Sequence, residues 1–421
     1  MSSPPAFGKE LREQEFYLTS DYALLNNGSY GAAPKRVIAV KHQHEEDMEK
    51  NPDNWYARIR PDLEAEGLRK LSEFVGAKVE NLAFVENATR GCNDALKCLN
   101  LQAGDGILIN NFTYLAIQNA VEYIKDFNGV TVFKIELKFP LNSFEDLVRT
   151  FTEFLDAHTS IKVVVLDHIS SMPSLLFPVK QLAEVFRARG IKTIVDGAHV
   201  PNQIDVNIED LKVDFYIANL HKWTFASRGC AFIYAAEEMH NTAKPVVTAL
   251  YNFGFPGDFT WQGARDHCTY SSVSEAFNFI EWLGGRTRIE EYTKDLGDWT
   301  ANELTSTWQT DMLPIGNELV PNCLRTIRIP DTKAFPKTPE GTSLLVTALR
   351  ELYKIRANIG YFRSLNNMYV RVSCAAYVDR EDIAKFRDAM MELKDLEPED
   401  QKIIDMKNIK EDRSLDDFLY D

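Results

Sequence analysis

Apolar and polar residues alternate in two rhythms along this chain. Short apolar runs rich in β-branched and aromatic residues, at 106–110, 129–136, 162–167, 191–196, 214–219 and 230–234, read as buried strands. Longer segments with apolar positions at helical spacing stand between several of them, at 113–124, 143–157 and 179–189. Strands separated by helix-length segments require crossover connections. The pattern therefore predicts an α/β fold, a mostly parallel sheet flanked by helices. Upstream, 34–75 is helical and highly charged with a break at Asn51-Pro52-Asp53-Asn54-Trp55, and 84–91 turns from strand into a helix through Cys92, Ala95, Leu96 and Leu99.

Beyond about residue 275 the rhythm changes. A long helical stretch at 273–296 is followed by strand-like 324–329, helical 342–353, strand-like 368–372 and helical 381–393. Strands set among helices without the crossover rhythm predict a smaller α+β domain. The chain accordingly divides into an N-terminal arm (1–40), a large α/β domain (41–285), a small C-terminal domain (286–396) and an acidic tail (397–421) expected to be solvated.

Composition narrows the function classes. At 421 residues the chain is too long for one small core, and 45% apolar with 26% charged residues is ordinary for a soluble globular protein. A net charge of −15 argues against nucleic acid as a partner. The first ten residues lack a basic and an apolar region, so no signal peptide is expected, and no apolar run is long enough to span a bilayer. The six cysteines show no CxxC or metal-ligand spacing, which predicts reduced thiols, no metal site and a cytoplasmic location.

Two strand ends carry the candidate chemistry. Asp196 closes the run at 191–196, and Lys222 follows the run at 214–219, between His221 and Trp223. Open α/β sheets bind ligands just outside the carboxyl ends of their strands. Pyridoxal phosphate is the cofactor that asks for this pair, a Schiff-base lysine and a carboxylate on its ring nitrogen. Burial beside aromatic rings lowers a lysine pKa, as an imine-forming amine requires. His199 can reach the ring's phenolate oxygen, although a satisfied structural histidine equally accounts for it. Asn87 and Thr89 cap a helix whose N-terminus suits a phosphate; taken alone, a plain cap explains them. The glycine-rich turn at 24–34 marks backbone that bends or approaches something closely.

The stretches Val195-Asp-Gly-Ala-His-Val-Pro-Asn-Gln203 and Phe215-Tyr-Ile-Ala-Asn-Leu-His-Lys-Trp223 resemble class V pyridoxal-phosphate enzymes of fold type I, nearest the isopenicillin N epimerase-like and C–S lyase-like branch. Leu25-Asn-Asn-Gly-Ser-Tyr-Gly31, Trp261-Gln-Gly-Ala-Arg-Asp266 and Tyr369-Val-Arg-Val-Ser373 extend the likeness over most of the chain. The resemblance implies that Lys222 forms the Schiff base and shuttles the α-proton, Asp196 pairs with the ring nitrogen, and His199 bonds the 3-hydroxyl. It further implies that Ala88 and Thr89 bind the phosphate with help from Asn219 and His221, and that Tyr114 stacks on the ring. Arg371 grips the substrate carboxylate, with Asn27, Ser29 and Ser171 beside the substrate. Family members are homodimers in which the segment holding Gly263 and Ala264 reaches the neighbour's phosphate; alanine stands here where threonine is common. Desulfurases of the class carry a loop cysteine shortly before the final arginine, and 352–369 has none. The implied reaction is therefore β-elimination from a sulfur-containing amino acid such as a cysteine conjugate or sulfoxide, with epimerisation or transamination as alternatives and an inactive relic a more distant one.

Overall fold

The computed structural model describes residues 3–407, and the remainder of the acidic tail lies outside the described residues. Seven strands form the main sheet: β1 (Leu82–Val85), β2 (Gly106–Asn110), β3 (Thr131–Ile135), β4 (Ile161–Asp167), β5 (Lys192–Asp196), β6 (Phe215–Asn219) and β7 (Ala231–Ala235). Their order is β1-β7-β6-β5-β4-β2-β3. Only β7 pairs antiparallel with its neighbours; the other pairings are parallel.

Strand periodicity decides what each face meets, because successive side chains point to opposite sides. Ile107, Ile109, Val163, Val165, Ile194, Phe215 and Ile217 pack with helices α3 (Ala88–Cys98) and α4 (Leu115–Asn128). Leu108, Val164, Leu166, Val195, Tyr216 and Ala218 face the opposite layer. That layer includes α1 (Lys35–Lys50), α2 (Arg60–Val75), α5 (Phe144–Ala157), α6 (Val179–Arg187) and α7 (Val273–Trp282). With helices on both sides the strands are buried on both faces, which is why they read as continuous apolar runs. The break expected at 51–55 is a short turn, Pro52–Asn54, followed by a π-helical turn at Trp55–Ile59.

The stretch read as one helix over 273–296 is two. It stops at Trp282, and α8 (Gly285–Trp308) begins afresh, because Gly284 (φ 102°) and Gly285 (φ 88°) both adopt left-handed backbone. The C-terminal part, expected to form a small domain, holds a second sheet of β8 (Leu324–Arg328), β9 (Asn358–Phe362) and β10 (Asn367–Ser373) in the antiparallel order β9-β10-β8. Helices α9 (Pro339–Tyr353) and α10 (Arg380–Leu393) complete it. The segment read as a loop before Arg371 is thus largely a hairpin, with Asn366 in left-handed backbone at its turn (φ 49°). The tail is not wholly solvated either: Gln401–Lys407 is helical and buries Ile403 in the core.

The N-terminal arm is bound to the small domain. Ala23–Leu24 pairs in parallel with Ile355–Arg356, and Arg12, almost fully buried, meets Asp382 at 2.7 Å. Gly31 ends this arm against the backbone of His221, in left-handed conformation with φ 63°. A Cβ there would overlap the His221 carbonyl, a backbone atom that cannot rotate away. Gly31→Ala is expected to lower stability by more than about 3 kcal/mol, combining backbone strain with steric overlap. Denaturant unfolding would measure it, and a variant as stable as the parent would contradict the close approach.

Candidate active site

The parallel strands β4, β5 and β6 end side by side, and their last residues open a cavity of about 330 Å³. It is lined by Ala88, Thr89, Tyr114, Asp167, Asp196, His199, Asn219 and Lys222, with Ile169, Ser171 and Ala198. A larger groove of about 1530 Å³ lies at the opposite end of the strands. There the charges are largely satisfied among themselves, as in Lys192–Asp214 at 2.6 Å, and no comparable constellation forms.

Lys222 sits at the cavity floor in the short helical turn Leu220–Trp223 after β6. Its Nζ lies 3.2 Å from Nε2 of His199. Burial pushes the amine down to about 8, against the opposing pull of Asp196 and with help from Arg371. His199 is itself held well below its usual range by burial first and by Lys222 second. The hydrogen bonds agree with a neutral imidazole. Trp223 Nε1 donates to His199 Nδ1 at 3.4 Å, so the remaining ring proton belongs on Nε2, facing Lys222.

Asp196 is 5% exposed, and its Oδ1 accepts the Ala198 amide at 2.9 Å. Burial raises its pKa, opposed by that bond and by Lys222. A second carboxylate, Asp167, ends the neighbouring strand directly in register with Asp196 and is 3% exposed. The same signal that marked Asp196, an acid closing an apolar run, was available for Asp167. It was missed because a run of residues does not say which strand lies alongside.

The first turn of α3 forms one wall. Asn87 Oδ1 caps the Arg90 amide at 2.9 Å, and Asn219 Oδ1 takes the Ala88 amide at 2.9 Å. Thr89 is left to offer its amide and hydroxyl at a helix N-terminus, an anion-favouring position. Asn219 thus shapes the wall through Ala88. His221 faces elsewhere: its Nδ1 donates to the Cys230 carbonyl at 3.1 Å, the ring does not line the cavity, and burial holds its pKa near about 4.

Arg371 projects from the central strand of the small sheet and is 1% exposed. Nη1 donates to the Ser171 carbonyl at 3.1 Å and its Oγ at 2.9 Å; Nη2 donates to Asn26 Oδ1 at 2.7 Å and Ser29 Oγ at 3.0 Å. Gly28 lies between this guanidinium and His199, which places Arg371 beside the lysine end of the cavity. Among the residues expected near a substrate, Ser29 and Ser171 therefore touch Arg371. Asn27 does not: its Nδ2 donates to the Lys222 carbonyl at 3.0 Å and its Oδ1 accepts Tyr377 Oη at 2.7 Å, tying arm to active-site turn. Its neighbour Asn26 makes the arginine contact instead.

Within one chain, Gly263 and Ala264 do not line the cavity, and Ala264 is exposed. Trp55 is buried in the core, and Trp261 stacks on His267 with ring centroids 5.6 Å apart. None of the six cysteines lines the cavity; all are free thiols and burial raises each pKa. Among the described residues no helix is long and apolar enough to cross a membrane.

Residues 33–251 match the family model described as Aminotransferase class-V. The chain is 26% identical to an L-cysteine desulfhydrase of Arabidopsis thaliana, over 88% of this chain and 87% of that protein. It is 27% identical to an isopenicillin N epimerase of Amycolatopsis lactamdurans, over 67% of this chain and 74% of the relative. Its fold matches that of the cystine C–S lyase C-DES in complex with its reaction product cysteine persulfide. That match has a TM-score of 0.76 at 18% identity, covering 90% of this chain and 99% of the other.

An amine shifted to about 8 is neutral in roughly a tenth of molecules at pH 7, against about one in three thousand for an ordinary lysine. In the protein without cofactor, Lys222 is expected to react with an amine-selective reagent at a rate that rises through pH about 8 and then levels. Peptide mass spectrometry across a pH series would follow it. A midpoint at the ordinary lysine value would refute the lowering of its pKa by burial.

Proposed function

The chain belongs to the aminotransferase class V family, and from that premise we propose that it is a pyridoxal-phosphate-dependent lyase cleaving the C–S bond of a sulfur-bearing amino acid by β-elimination. The observation that carries the reading is one cavity holding a depressed lysine and a buried carboxylate, with a fixed arginine bonded to its lining residue Ser171 and no cysteine on its wall. The relatives named above as desulfhydrase and C–S lyase support the bond broken.

The donor set fits the cofactor. Asp196 would face the ring nitrogen, Thr89 and the first turn of α3 the phosphate, Tyr114 the ring face, and Lys222 the aldehyde carbon. When bound, pyridoxal phosphate supplies an electron sink that stabilises negative charge at the substrate α-carbon. The protein's own residues do the rest. Arg371 holds the substrate carboxylate in a two-pronged grip that a lysine cannot reproduce, and Asn26, Ser29 and Ser171 hold the arginine still. Lys222, once released, is the base that removes the α-proton, its lowered pKa matched to proton transfer near neutrality. His199, wedged between Trp223 and Lys222, fixes where the amine points. With no thiol on the cavity wall to accept sulfur, the sulfur leaves with the departing group. We further infer a homodimer, in which the exposed segment around Gly263 and Ala264 completes a neighbouring phosphate site, and a cytoplasmic location.

The epimerase relative favours a second reading, in which the α-proton is removed and returned without elimination. Products separate the two. With L-cysteine, cystine or a cysteine sulfoxide, the purified, cofactor-loaded protein is expected to release pyruvate and ammonia in equal amounts. Exchange of the α-proton in heavy water with no carbonyl product would instead establish epimerisation. Lys222→Ala should abolish turnover and retain no cofactor after borohydride treatment. Arg371→Lys should raise KM about 10- to 100-fold, the worth of a lost charge-assisted fork, with a smaller fall in kcat. Steady-state kinetics would check this, and an unchanged KM would remove Arg371 from substrate binding.

A further inference from the structure

Asp167 is a buried acid that the chemistry above does not use. Its Cα pairs in register with that of Asp196 across the parallel strands β4 and β5, so both side chains leave the same face of the sheet. Both line the cavity, and they are 3% and 5% exposed. The Thr113 hydroxyl and Tyr114 amide, at the start of α4, hydrogen-bond the Asp167 carboxyl. Its Oδ2 nevertheless has no hydrogen-bond partner although it is out of contact with solvent. The other titratable groups facing the pair are Lys222 across the cavity and Cys92 beneath it on α3. Tyr216 of β6 also feels Asp196.

Two carboxylates side by side in a dry pocket do not both ionise near neutral pH. We propose that Asp167 is a positioning residue that shares one proton with Asp196, so that the ring-nitrogen end of the cavity carries a single negative charge. The proton sits on Asp167 Oδ2, the oxygen that accepts no hydrogen bond to favour its charged form, and its O–H is left to donate to the Asp196 carboxylate. Asp196 then remains the carboxylate that meets the ring nitrogen. The proton also protects the lysine: both acids raise the Lys222 pKa by charge, and a second full negative charge would keep the amine protonated and unreactive. Burial, followed by the charge of Asp196, pushes Asp167 well above the carboxylate range, in the direction this arrangement needs. Through Thr113 and Tyr114 the same residue anchors the turn that presents the Tyr114 ring. The role of the pair toward the ring nitrogen rests on the cofactor assignment made above.

Infrared spectroscopy reads the proton directly. Protein at neutral pH, with and without pyridoxal phosphate, should show the carbonyl stretch of a protonated buried carboxylic acid, and Asp167→Asn should lose it. The Asn variant keeps an oxygen for Thr113 and Tyr114, and it should leave the Lys222 labelling midpoint where it stands in the parent, because it removes a neutral group. Asp167→Ser offers a second background should the amide fail to fold. No such signal in the parent, a signal surviving in either variant, or a Lys222 midpoint that falls on substitution would each overturn the shared proton. Failure of pyridoxal phosphate to bind while the signal is present would sink the cofactor assignment and leave the acid pair standing.

Discussion

Everything at this site depends on holding charge in a place without water. Asp196 and Asp167 end adjacent strands of a sheet covered on both faces, and Lys222 sits in the helical turn that follows the next strand over. Removed from solvent, each of these groups is pushed toward its neutral form. Their mutual attraction only partly opposes that push, which leaves the lysine available as a nucleophile and base. The parallel sheet is what makes this affordable: the strand ends are rigid and buried, so the groups cannot turn outward to water. Placed on a surface loop, the same three residues would hydrate, and the lysine would return to its ordinary range.

The second organising contact is between the two ends of the chain. Arg371 comes from the last strand of the small domain, Asn26 and Ser29 from the N-terminal arm, and Ser171 from the loop after β4. Asn27 then ties that arm to the carbonyl of Lys222 itself, and Gly31 lies against His221. The arm thus braces the lysine turn from one side and the arginine from the other. A change in the arm would therefore disturb contacts to both Lys222 and Arg371.

What distinguishes this cavity from one built to carry sulfur on the protein is negative evidence made concrete by the hairpin. The segment before Arg371 contains no cysteine, and Asn358–Phe362 pairs residue by residue with Asn367–Ser373. That short ladder leaves no long loop to sweep across the cavity.

The sequence by itself determined the layer architecture and singled out the acid and amine, Asp196 and Lys222, that meet at the cavity. Apolar periodicity reports which faces of a strand or helix are buried, and Asp196 and Lys222 stand where that periodicity stops. The helical break at Gly284–Gly285, the hairpin at 358–373 and the burial of Ile403 escaped because they hang on local φ or on distant packing. The structure alone decided three matters at the site. It assigned the arginine contact to Asn26 rather than Asn27, since one residue of backbone rotation turns a side chain from Arg371 to Tyr377. It turned His221 away toward Cys230. And it set Asp167 beside Asp196, because strand adjacency and register are properties of the folded sheet, whereas periodicity is a property of each strand alone.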